Sequence, residues 1–98
     1  MDRTELERTW VTTAMHLNAA RAQLREVPAP GLDGATVDGF NECLRQNEME
    51  LALDELEDLG LTNEPPSDFW RHLIFAAENM ELWERAADFE RRMGRQTK

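Results

Sequence analysis

The chain has 98 residues, with 20 Asp/Glu against 11 Lys/Arg and a net charge of -9, a length that fits one domain able to bury a modest core without disulfides or metal. The acidic excess repels phosphate backbones and so excludes DNA and RNA as direct partners, and the single Cys43 excludes an internal disulfide. Leu, Ala, Glu, Arg and Met dominate, Tyr is missing, and no run of β-branched residues reads as a strand, so the expected fold is all-α, a compact single domain of about five helices arranged as antiparallel hairpins.

The start, Met1 to Glu5, lacks the basic and apolar regions of a signal peptide, and no stretch is apolar for the length a bilayer requires. Together with an unpaired thiol this points to the cytoplasm and away from membranes. Thr4 and Glu7 form a capping-box pattern, in which the hydroxyl and the carboxylate satisfy backbone donors at a helix start. A first helix over about 4–25 is expected, because Leu6, Trp10, Thr13, Leu17, Ala20 and Leu24 recur at steps of four and three. The Pro28-Ala29-Pro30-Gly31 stretch ends it, since proline has no backbone N–H to donate.

Thr36 is placed to cap a second helix, about 36–46, with Val37, Phe40, Cys43 and Leu44 as its apolar side. Asn47, with Glu50 three residues on, repeats that logic for a third helix, about 48–59, which buries Met49, Ala52, Leu53, Leu56 and Leu59 and is expected to close at Gly60. Past Pro65 and Pro66, Ser67 and Asp68 provide a cap and a first-turn acid for a fourth helix, about 67–78, on the stripe Trp70, Leu73, Ile74, Ala77. A fifth, about 80–93, follows Leu82, Ala86, Phe89 and Met93 to Gly94.

Chemistry-bearing motifs are scarce. His16, His72 and Cys43 do not have the spacing of a zinc site, and no HExxH, GxSxG, P-loop or GxGxxG is present. Cys43, on the apolar side of a short helix, reads as a small hydrophobe. The expectation is therefore a non-enzymatic protein with no cofactor and no metal.

Charge, by contrast, is concentrated. Residues 36–70 hold ten Asp/Glu and one basic residue, Arg45, whereas the flanking stretches are nearly neutral. Glu50, Asp54, Glu57 and Asp58 fall at i, i+4, i+7 and i+8 and are expected to share one exposed helix face, with Glu48 and Glu55 at its rim. Like charges at that spacing repel by a few tenths of a kcal/mol per pair. These six residues are the candidate protein-binding site, suited to a cationic partner captured by long-range attraction. Of the three tryptophans, Trp10 and Trp70 are expected in the core and Trp83 partly exposed.

From Phe40 to Leu82 the chain resembles the small helical immunity proteins of bacterial polymorphic toxin systems, in particular the MafI-like group. The matching positions are Glu48, Leu51, Ala52, Leu53 and Leu56, then Pro65 and Pro66, then Met80 and Leu82. The resemblance implies a protein that binds and neutralises a cognate toxin domain, expected to be basic, in the cytoplasm of the cell that makes it. Two alternatives stand beside it. Trp70, Leu73 and Ala86 have spacings seen in a tetratricopeptide unit, which would make the chain a helical adaptor or peptide-binding scaffold. Clustered acid also suits a DNA mimic that inhibits another protein.

Overall fold

The computed structural model describes the backbone of residues 3–96 and the side chains of residues 8–94. Its elements are α1 (Arg3–Arg21), α2 (Val37–Arg45), α3 (Met49–Asn63), α4 (Ser67–Asn79) and α5 (Trp83–Gln96). Among the described residues there is no strand, and no helix is long and apolar enough to cross a membrane. The Cα radius of gyration of 12.9 Å matches the value of about 13 Å for a folded domain of this length.

Three pairings build the bundle: α2 on α3, α4 on α5, and α1 laid across α4 with a lesser contact to α3. Leu17, Ala20, Phe40, Leu53, Leu56, Leu59, Phe69, Trp70, Leu73 and Phe89 form the shared core. The expected stripes supply most of it. Trp10 is the exception, 39% exposed on α1.

The connections explain where the helix ends fall. α2 ends at Gln46, and the next residue, Asn47, has φ 57°. Its N–H donates to Leu44 O, and the Glu48 N–H donates to Cys43 O. That is a Schellman motif, in which a left-handed residue lets two late donors reach back to free carbonyls. Glu81 repeats it after α4 with φ 61°, donating to Glu78 O while the Leu82 N–H donates to Ala77 O. Asn47 is therefore a terminator of α2 rather than the expected cap of α3, whose first turn has no side-chain cap. Ser67 likewise lies inside the first turn of α4, after an N-cap at Pro66.

Gly60 does not close α3. The helix runs through it to Asn63 and stops at Glu64, whose φ is 47° and whose N–H donates to Gly60 O. A Cβ on Gly60 would overlap the Phe69 ring, so the missing side chain lets α4 approach α3. α1 stops at Arg21, earlier than its stripe suggests, and the Arg21 guanidinium donates to Arg25 O at 3.0 Å and Glu26 O at 2.7 Å. Leu24 still reaches the core from the turn that follows. Thr36 caps α2 as expected, accepting from the Gly39 N–H at 3.0 Å. The Thr4–Glu7 capping pattern and Leu6 fall outside the described side chains.

Candidate functional site

The carboxylates of α3 do not form one exposed face. Asp58 is only 9% exposed and turns inward. Its Oδ2 accepts from the Asp33 N–H at 3.0 Å and the Ala35 N–H at 3.1 Å, and Oδ1 accepts from Asp33 at 3.2 Å. Gly31 lies so close that a Cβ there would collide with this carboxylate. One turn earlier, Glu55 accepts from the Thr36 N–H at 3.2 Å. Asn63, further along α3, exchanges two hydrogen bonds with the backbone of Ala29. These three side chains hold the loop between α1 and α2 onto α3 by satisfying backbone groups that a loop cannot pair for itself.

Asp54 and Glu57 turn the other way, toward α5. Arg85 pairs with Asp54 through Nη1 and with Glu57 through Nη2 at 3.0 Å, while its guanidinium lies over the Phe89 ring, 5.5 Å from the centroid. Arg92 Nε stands 3.9 Å from the second Glu57 oxygen. A stripe that looks purely acidic in one helix is thus partly neutralised by a neighbouring helix. Spacing within α3 could not reveal this, because the cations come from a segment about thirty residues on. Cys43 feels the same charge: burial, then the carboxylates of Glu55, Glu48 and Asp54, hold its thiol above the usual range. Such a thiol stays protonated and is a poor nucleophile.

Glu48 and Glu50 remain exposed, without an ion pair among the described residues. Glu50 borders an open pocket of about 390 Å³ lined by Glu81, Leu82, Trp83, Glu84 and Arg85. The turn between α4 and α5 creates it. The left-handed Glu81 reverses the chain, Leu82 turns in to pack against the core, and Trp83 is left 61% exposed at the head of α5. Three carboxylates then surround an indole, with Arg85 already engaged by Asp54 and Glu57. That combination suits a Lys or Arg side chain, which gains from the ring face and from the acids together. Trp83 was legible in the sequence as the most exposed tryptophan. Glu81 and Glu84 were not, because they belong to the α4–α5 turn and to α5 rather than to the helix of the acidic cluster.

A second open pocket, of about 430 Å³, lies where α1 meets α2 and α3, and is lined by Trp10, Val11, Ala14, Leu44 and Met49 among others. Elsewhere the fold unites two residues 56 positions apart, His16 and His72, whose Nδ1 atoms are 3.4 Å apart between α1 and α4. No family model matches the sequence, and no curated protein or solved structure is significantly similar to it.

Proposed function

We propose that this protein is a non-catalytic inhibitor, an immunity protein that neutralises a cognate bacterial toxin domain by binding a basic surface of it. The observation that carries this reading is the pocket in which exposed Trp83 stands among Glu50, Glu81 and Glu84. Tryptophans in such positions are frequent anchors of protein interfaces. Surrounding acid adds attraction for a cationic partner and speeds its capture. Glu48 extends the same negative surface, and Asp54 and Glu57 border it through Arg85. Asp58 and Glu55 are assigned to holding the loop, so the contact surface is shorter on α3 than the six-residue site and extends onto α5. Inhibition by this surface is occlusion of a basic cleft, with no turnover.

The test uses the reading frame that precedes this gene. Its C-terminal domain should arrest growth when expressed alone and be tolerated when this protein is co-expressed. Trp83→Ala should weaken the purified complex by about thirtyfold or more, the scale of a hot-spot tryptophan. A harmless upstream product removes the immunity reading; protection and affinity unaffected by Trp83→Ala remove the pocket from it. The pocket beside Trp10, with Val11 69% exposed, is the feature that favours the adaptor alternative, and a bound apolar peptide there would support it.

A further inference from the structure

We propose that His16 and His72 form a binding site for an imidazole-seeking divalent transition metal, Zn2+ or Cu2+, that bridges α1 and α4. The two rings meet through their Nδ1 atoms: the centroids are 5.6 Å apart, the nitrogens 3.4 Å. Two imidazole nitrogens on one tetrahedral zinc, each at 2.0–2.1 Å, stand about 3.3–3.4 Å from each other. The spacing is therefore that of a chelating pair, and both rings must turn for their lone pairs to converge on one ion. As a hydrogen bond the same contact is poor, since N–H donors usually lie 2.7–3.2 Å from their acceptors. Little is lost when a metal replaces it.

The surroundings agree. Both histidines are half-buried, and Phe75 walls the pair, its ring 5.2 Å from His16 and 6.4 Å from His72. The nearest charged groups along α4, Asp68 and Arg71, are paired with each other at 2.8 Å, so neither competes for the imidazoles. Among the described residues no third His, Cys, Asp or Glu joins the two. The remaining coordination positions therefore fall to water or to a donor from another molecule, as in open sites. Imidazole suits zinc and copper better than it suits magnesium or calcium.

Titration of the full chain with Zn2+ at about pH 7.5 should show one ion per chain and raise the melting temperature by about 4–8 °C. As the pH is lowered and protons compete with the metal for the imidazole nitrogens, both effects should weaken. His16→Gln and His72→Gln should each lower the affinity about tenfold or more, the loss of a ligand contact worth at least one decade. Proton–nitrogen correlation spectra of the histidine rings test the unaltered protein directly: Zn2+ should move both Nδ1 resonances. No binding, equal binding by the double variant, or ligation through Nε2 overturns the site.

Discussion

At the scale of single residues, the fate of Asp58 shows how a charge changes meaning when its surroundings are known. In the sequence it is one more acid on a helix; in the fold it is 9% exposed and accepts the backbone N–H groups of Asp33 and Ala35. Asp58→Asn keeps the size but replaces one acceptor oxygen with a donor that faces donors. We expect it to cost about 1–3 kcal/mol of stability, measured as a lowered midpoint in urea, whereas Glu50→Gln should leave the midpoint nearly unchanged. Equal midpoints for Asp58→Asn and the parent would mean that the loop does not depend on this carboxylate. The residues most legible in the sequence were the apolar ones: Leu17, Phe40, Leu53, Leu56, Trp70 and Phe89 are all essentially buried, since burial follows directly from helical period. Trp10 departs from this: period places it on the stripe, but in the fold it is 39% exposed and lines an open pocket with Leu44 and Met49.

At the scale of elements, the number and order of the helices follow from periodicity and proline, but their ends do not. The expected side-chain caps at Asn47 and Ser67 give way to backbone motifs and to Pro66, and Gly60 serves close packing instead of termination. A glycine after an apolar run has the same sequence signature in either role; only the Phe69 ring above it decides. The α1–α4 contact is likewise invisible in advance, although it carries a half-buried polar pin, with Asn79 Nδ2 donating to Thr13 Oγ1 at 2.7 Å and to Thr9 O at 2.9 Å. His16 lies in this contact, and its pKa is lowered from 6.5 by burial and then by His72. A base held below its ordinary value in the folded chain takes up protons more readily once unfolded. Its contribution to stability is then complete above about pH 6.5 and is lost as the pH falls from there toward the folded value. Thermal melts between pH 5 and 8 should show this decline, and His16→Gln should flatten it just below pH 6.5, above the range in which ordinary carboxylates titrate; an unchanged profile would exclude His16 as its source.

At the scale of the whole molecule, the net charge of -9 is the property that a partner meets first. Pairing of Asp54 and Glu57 with Arg85 reduces the local field around that guanidinium and leaves Glu48, Glu50, Glu81 and Glu84 to supply the negative charge beside it. Association with a basic domain should therefore slow as salt is added, because the screening length shortens from about 10 Å at 0.1 M to 3 Å at 1 M. Dissociation from the proposed interface around Trp83 should change far less. Stopped-flow measurements at several salt concentrations separate the two rates, and a salt-independent association rate would show that charge does not steer the encounter. The uneven charge along the chain was visible in the sequence. Which acids stay available was not, since that depends on a helix docked from a distant segment.

The docking of α1 on α4 gives the molecule a history as well as a shape. On a ribosome the chain emerges in order, so α2 meets α3, and α4 meets α5, within a few residues of synthesis. α1 is complete at Arg21, yet the helix it lies across does not begin until Ser67. α1 thus waits far longer for its main partner than α2 or α4 does, and the hydrogen bond that pins Thr13 forms only once Asn79 has emerged.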